Sequence, residues 1–189
     1  MKNLWISIRI TLAMCVVLFV GYVLVLRLVA WVASPNDGEA PVVTYNGKLV
    51  GAANVGQVFT DGVYFWGRPS NVDYNGGGSG GSNKGTNNPE YLAQVEERID
   101  AFLAAHPYLS REEVPAEMVT ASGSGLDPDI SPRGAQAQVR RVAEARGLDI
   151  ATVRHLVDSL TQKPWLGLFG TEKVNVLRLN VALEELNEN

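Results

Sequence analysis

Ile10-Thr11-Leu12-Ala13-Met14-Cys15-Val16-Val17-Leu18-Phe19-Val20-Gly21-Tyr22-Val23-Leu24-Val25-Leu26-Arg27-Leu28-Val29-Ala30-Trp31-Val32-Ala33 is the stretch on which this chain's architecture turns. The 17 residues from Ile10 to Leu26 carry no charge, and past Arg27 the apolar run resumes to Ala33. A helix rises about 1.5 Å per residue, so some 20 apolar residues cross the roughly 30 Å of bilayer hydrocarbon. The run is long enough, and the sequence holds no second one. Residues 34–189 therefore read as one domain tethered to a membrane.

Three kinds of apolar segment compete for residues 10–33. A cleaved signal peptide has a shorter apolar stretch and small residues at its cleavage site; the bulky Trp31 fits that pattern poorly. A lipoprotein anchor on Cys15 would want a small residue where Met14 stands. A retained single span fits best. Trp5 and Trp31 sit near its ends, where amphipathic rings favour the interface. Arg27 lies about one turn inside and reads as an interfacial anchor whose head snorkels outward.

The flanks set the orientation. Lys2 and Arg9 precede the span, whereas the 20 residues after Ala33 hold Asp37, Glu39 and one base, Lys48. The positive-inside rule makes residues 1–9 a cytoplasmic terminus, 10–33 the transmembrane helix and 34–189 an extracytoplasmic domain. The expected location is a cell (inner) membrane, single-pass.

Beyond Ala33 the chain has 20 acidic and 13 basic residues, a net charge of −7. Nucleic acid wants a basic face, so it is not an expected partner. The single cysteine lies in the span, which removes any internal disulfide and any thiolate metal site from the domain. His106 and His155 lack ligand spacing, and no metal is expected.

The domain reads as α+β with helices dominant. Asn46-Gly47 between Val42–Tyr45 and Lys48–Val50 is a two-residue hairpin signal. Val55–Phe59 and Val63–Trp66 have the composition of further short strands. Residues 67–89 form a long Gly/Ser/Asn-rich loop; loops of that length in compact domains are functional or disordered. Asn88-Pro89 starts a helix with Leu92, Val95, Ile99, Phe102, Leu103 and His106 on one stripe. Residues 114–132 are a second irregular loop. Ser131-Pro132 caps a helix that runs to Arg146 and stops at Gly147. Asp149 caps another, with Ile150, Val153, Leu156, Val157 and Leu160 as its buried stripe. Val174–Val176 reads as a strand and Leu177–Leu186 as a last short helix.

Catalytic patterns are hard to find. The Gly-rich loop has the backbone amides to cradle an anion, but Lys84-Gly85-Thr86 lacks the glycine that precedes the lysine of a P-loop. Ser122-Gly123-Ser124-Gly125 offers hydroxyls without a neighbouring histidine to activate them. Asp127 and Asp129 flank Pro128 and read first as turn formers. Arg68 is placed to pair with an acid or to hold its loop. These residues assemble no nucleophile, base and orienter.

The same loops carry a resemblance. Tyr64-Phe65-Trp66-Gly67-Arg68-Pro69-Ser70, Ser79-Gly80-Gly81-Ser82-Asn83 and Val119-Thr120-Ala121-Ser122-Gly123-Ser124-Gly125-Leu126-Asp127-Pro128 closely resemble the C subunit of the bacterial Kdp potassium-transporting P-type ATPase. So do Arg141–Arg146 and Val174–Leu183, and the resemblance covers essentially the whole chain. It implies a complex with a channel-like potassium-binding subunit, a P-type ATPase subunit phosphorylated on aspartate and a very small membrane subunit. In that complex the C subunit is an accessory, non-hydrolytic part of a pump that moves potassium inward. It is needed for assembly, and has been proposed as a catalytic chaperone that raises the ATP affinity of the hydrolytic subunit. That idea leans on Ser79–Asn83, which is similar to the signature loop of ABC transporters. Here the loop departs from that signature: Val72-Asp73-Tyr74-Asn75-Gly76-Gly77-Gly78 precedes it rather than a leucine, and Ser82 replaces the expected glutamine. No tightly bound cofactor is implied; ATP enters through the complex. Ser79, Gly80, Gly81, Ser82 and Asn83 are then expected to contact nucleotide or a neighbouring subunit. Arg68, Thr120, Ser122, Ser124 and Asp127 are expected to contact a subunit.

Topology and the chaperone idea conflict. An extracytoplasmic domain cannot touch cytoplasmic ATP, so any influence would be a coupling through the span. A cap near the potassium entrance is the other role that suits an outward acidic domain.

Overall fold

The computed structural model describes residues 2–187, in two compact units that meet in sequence between Pro41 and Val42. The first unit is built on one helix, α1, Lys2–Ala33, whose 32 residues are apolar enough to cross a membrane. It is the one such helix among the described residues. Its middle, Val16–Tyr22, is wound as a π-helix. The helix starts earlier than the apolar run because Lys2–Arg9 continue the same helical backbone. It ends at Ser34, whose N–H still reaches the Ala30 carbonyl at 3.0 Å. A left-handed pair follows, Asn36 and Asp37, both at φ 54°. Gly38, at φ 81°, then passes so close that a Cβ there would lie 2.7 Å from Ala30 Cβ. This turn brings Glu39 Oε1 to 3.2 Å from Arg27 Nη2. Both side chains are exposed, so the pair contributes little, but it gives the single charge of the apolar run a partner just past the helix's carboxy-terminal end.

The second unit opens with the hairpin β1 (Val42–Tyr45) and β2 (Lys48–Ala52), antiparallel, with a register shift between Val43 and Thr44. Asn46 at φ 48° and Gly47 at φ 73° supply the two positive φ values that its tight turn needs. Helix α2, Pro89–Ala105, is capped by the Asn88 side chain, which accepts from Tyr91 N–H. Helix α3, Pro132–Arg146, is capped by Ser131 and stopped by Gly147 at φ 66°. Helix α4, Ile150–Leu160, is capped by Asp149. Strand β3, Asp129–Ile130, pairs antiparallel with β4, Val174–Asn175, and β4 runs directly into α5, Val176–Asn187. A single helical turn at Arg111–Glu113 precedes the second loop, and another at Ala116–Met118 opens it.

The core lies where α3, α4 and α5 meet. Phe65, Val139, Val142, Ala143, Val153, Val157, Val174, Leu179 and Leu183 are buried there. Burying each large apolar side chain contributes about 1.5–3 kcal/mol relative to exposure. The expected stripe of α4 holds at Val153 and Val157, fully buried, and at Leu156 and Leu160, half-buried against the core, while Ile150 at the first position of the helix is exposed. Leu92, in the first turn of α2, is exposed as well.

The segments 55–59 and 63–66 are not strands. Within them Phe65 is fully buried, Phe59 and Trp66 are half-buried against the core, and Val58 stays exposed. Their backbone groups, however, are met by side chains and by single loop contacts instead of a neighbouring ladder. Gly56 N–H donates to Leu126 O at 2.8 Å. Phe65 N–H donates to Asn180 Oδ1 at 2.8 Å, and Asn180 Nδ2 donates back to Phe65 O at 3.0 Å. Gln138 does the same for Trp66, accepting from its N–H at 2.8 Å and donating to its carbonyl at 3.1 Å.

Candidate functional site

Residues 62–66 are the platform from which the first long loop departs. Besides Asn180 and Gln138, two arginines of α3 hold it. Arg141 donates to the carbonyls of Gly62 and Tyr64, and Arg146 Nε donates to Val63 O at 2.7 Å. The buried Arg141 guanidinium lies 4.2 Å from the centroid of Trp66 and donates to His106 Nε2 at 2.9 Å. His106 Nδ1 sits 2.7 Å from Phe102 O, so it carries the ring proton and Nε2 presents its lone pair to the arginine. Burial, opposed by the Phe102 carbonyl and helped by the Arg141 charge, pushes the histidine down to about 4. Burial likewise pushes Arg141 down to about 10. Both are structural pins: neither is placed to shuttle protons at neutral pH.

The two loops singled out in the sequence, 67–89 and 119–132, are interlocked. Arg68 Nη1 meets Asp127 Oδ2 at 3.0 Å, so the arginine both pairs with an acid and holds its loop. Its Nε is buried without a hydrogen-bond partner. The Tyr74 hydroxyl donates to Arg68 O, and burial together with Asp127 raises that phenol. Ser70 Oγ donates to Gly125 O at 2.7 Å and accepts from the N–H groups of Val72 and Tyr74. Ser122 N–H donates to Pro69 O at 3.1 Å. Asp127 Oδ1 accepts from Asp129 N–H at 3.1 Å, the turn expected around Pro128.

Ser79–Asn83 joins the same structure. Gly80 N–H donates to Ser124 O at 2.8 Å, and Ser79 Oγ donates to that carbonyl at 3.1 Å. A Cβ on Gly81 would lie 3.0 Å from Gly123 O. A Cβ on Gly125, at φ 67°, would lie 2.5 Å from Val72 Cγ2 and 2.9 Å from Gly80 O. The glycines at 81 and 125 are therefore where two backbones touch. Ser82 turns inward to accept from Lys84 N–H at 3.4 Å, and Asn83 is left-handed at φ 52°. Thr120 bonds back to Ala116 O through its hydroxyl at 2.7 Å. Lys84 Nζ is 2.8 Å from Glu90 Oε2.

Beside the Arg68–Asp127 pair opens a cleft of about 240 Å³, also lined by Glu117, Asp129, Ser131, Glu172 and Lys173. Lys173 Nζ lies 2.6 Å from Asp129 Oδ2, and Glu117 Oε1 accepts from Ser131 N–H at 2.8 Å. The cleft is a mixed-charge surface in which Arg68 is paired with Asp127 and Lys173 with Asp129. Among the described residues no three His, Cys, Asp or Glu side chains are grouped to hold a metal ion.

Residues 4–185 match the family described as K+-transporting ATPase, c chain, KdpC. The chain belongs to the KdpC family. A relative from Bacteroides fragilis (strain YCH46), a potassium-transporting ATPase KdpC subunit, is 65% identical over 188 residues, covering 98% of both chains. KdpC subunits from Flavobacterium psychrophilum and Caldanaerobacter subterraneus subsp. tengcongensis are 54% and 44% identical over 186 and 179 residues. The first alignment covers 98% of this chain and 100% of the relative, the second 95% and 93%. As a KdpC chain it is a component of a multi-subunit potassium-transporting ATPase.

For KdpC the structure brings Arg68, Ser79, Gly80, Gly81, Ser122, Ser124 and Asp127 into one interlocked surface. Thr120 stays on its own turn, and Ser82 and Asn83 border the surface. Sequence reasoning missed the residues that support it: Gln138, Arg141, Arg146 and Asn180. Polar residues on otherwise apolar helix faces were the available signal.

Proposed function

We propose that this chain is a non-catalytic accessory subunit of a high-affinity, ATP-driven potassium uptake pump, holding the complex together through the interlocked loops 67–89 and 119–132. The observation that carries this reading is the family match over residues 4–185, which takes in the apolar helix and both loops. Its partners are the channel-like potassium-binding subunit, the P-type ATPase subunit and the small membrane subunit. Residues 1–9 lie in the cytoplasm, 10–33 in the inner membrane and 34–189 outside. From there the domain caps the potassium entrance, or raises the ATP affinity of the hydrolytic subunit by coupling through the span.

Direct nucleotide binding by Ser79–Asn83 is the weaker reading. An anion cradle needs free amides and a free cation, whereas Gly80 N–H is spent on Ser124 O and Lys84 on Glu90.

The test is to replace Cys15 with serine and Ser79 with cysteine, and to treat intact cells with a membrane-impermeant maleimide once any outer barrier is opened. Labelling supports the outward domain. Protection until lysis overturns it and revives contact with ATP. Normal growth of a gene-deletion strain at micromolar potassium would overturn the pump-subunit role itself.

A further inference from the structure

The most apolar exposed surface outside α1 is the tip Trp165-Leu166-Gly167-Leu168-Phe169. Trp165 is 70% exposed, Leu166 71%, Leu168 80% and Phe169 61%. These are the side chains that folding ordinarily hides, and here they sit together on one turn. The turn is closed by its own backbone. Trp165 N–H donates to Phe169 O at 2.9 Å and Phe169 N–H returns to Trp165 O at 3.0 Å. Leu168 N–H donates to Trp165 O at 3.1 Å, and Gly167 N–H to Pro164 O at 2.9 Å. The Trp165 and Phe169 rings pack at 5.6 Å between centroids. Leu166 stands in the left-handed region, φ 54°, beside Gly167 at φ 71°. A leucine is disfavoured there, and its solvent-facing side chain returns nothing to the domain's own core.

We propose that the Trp165–Phe169 tip inserts into the interfacial layer of the bilayer that holds α1. Four observations select lipid as the occupant. Hydrocarbon offers no hydrogen-bond partners, and the N–H groups of Trp165, Gly167, Leu168 and Phe169 already donate within the turn. No polar side chain interrupts the tip from Pro164 to Gly170. Charge returns only at its base, with Lys163 on one arm and Glu172 and Lys173 on the other. Lys173 is taken by Asp129, which leaves the exposed Lys163 ammonium to meet anionic headgroups. The tip's exposed apolar area is on the order of 500 Å², less than the roughly 800 Å² per partner of a standard protein interface.

The tether makes shallow insertion effective. Residues 34–41 are all that separates α1 from β1, and eight residues reach at most about 28 Å. The domain is thereby held at high effective concentration over the bilayer surface. Tryptophan is suited to this depth, since its ring sits at the headgroup level.

The proposal rests on α1 spanning the bilayer, so the experiment scores that separately. Spin labels are placed one at a time on the full chain carrying Cys15→Ser, at Leu168→Cys on the tip, Arg154→Cys on exposed α4 and Val20→Cys within α1. The chains are reconstituted in phosphatidylethanolamine/phosphatidylglycerol vesicles, alone and with the other pump subunits. Collisions with oxygen, which enriches in lipid, and with a water-soluble nickel chelate are measured. The expected result is loss of nickel access with gain of oxygen access at 168 and at 20, and the reverse at 154. Nickel access at 168 equal to that at 154 overturns the tip's insertion while a lipid signature at 20 preserves the span. Loss of both collisions at 168 only when the other subunits are present also overturns it, and assigns the tip to a protein pocket. A Leu166→Ser/Leu168→Ser chain, carrying its label at Trp165→Cys, should regain nickel access with an unchanged signal at 20; continued lipid contact there would count against the proposal.

Discussion

Asn180 grips Phe65 from 115 residues away, accepting from its N–H at 2.8 Å and donating to its carbonyl at 3.0 Å. A single side-chain amide thus takes the place of a neighbouring strand. Gln138 repeats the arrangement on Trp66, so two adjacent peptide units are held by helices α5 and α3. Everything the first long loop contributes starts from this fixed point.

Asn180→Leu should cost about 3 kcal/mol, because it leaves a buried N–H and a buried carbonyl of Phe65 unpaired. Asn180→Asp keeps the acceptor but sets a buried carboxylate oxygen against the Phe65 carbonyl, and should also fall short of wild type. Urea unfolding of the full chain in detergent reads both; a Leu variant within about 0.5 kcal/mol of wild type would show that water replaces the amide.

The glycines of the interlocked loops should differ sharply. Gly125→Ala must force a left-handed alanine against Val72 and Gly80 O, for a loss of about 1–3 kcal/mol. Gly80→Ala meets only Val72 Cγ1 at 3.7 Å, an ordinary contact, and should be nearly silent. Gly81→Val lies between them, with Gly123 O at 3.0 Å from its Cβ. Recovery of the assembled pump and the unfolding midpoint of each chain are the measurements, and equal behaviour of 80 and 125 would refute the assignment.

His106 should make the domain acid-sensitive. Its folded value near 4 lies below the ordinary 6.5 of a histidine. The unfolded chain therefore takes up the proton first, and stability falls as pH drops from about 6.5 towards 4, by on the order of 1 kcal/mol per pH unit at most. Above 6.5 the contribution of the neutral ring is fully present. His106→Gln should flatten the profile between pH 4 and 6.5, as read by thermal unfolding across that range.

Ser122→Ala/Ser124→Ala should leave potassium-limited growth unchanged. What these positions supply to the interlocked loops is mainly backbone: the Ser122 N–H to Pro69 and the Ser124 carbonyl to Gly80 and Ser79. A strong growth defect in a chain that still folds would instead point to a role for the hydroxyls.

The helices of this protein were legible because their signals are local. Asn88, Ser131 and Asp149 cap them as their positions predict, and Gly147 stops α3 in the left-handed conformation. The Asn46-Gly47 hairpin was legible for the same reason, as was α1, where length and composition suffice. The loops were legible as loops, and their motifs were enough to carry the family.

Chain position alone could not say what those loops and the segment before them pair with. Val63–Trp66 has a strand's composition, yet a strand needs a partner edge, and here arginine and amide side chains from α3 and α5 satisfy the backbone instead. The Gly/Ser loop suggests free amides, yet Gly80 spends its N–H on Ser124, 44 residues on. The sequence by itself determined the apolar helix, the capped helices, the hairpin and the family, since each follows from residues close in the chain or from motif order. Only the tertiary structure decided which glycines touch another backbone, which charges are paired and which apolar residues at 165–169 stay outside the core, because those depend on contacts between residues tens of positions apart.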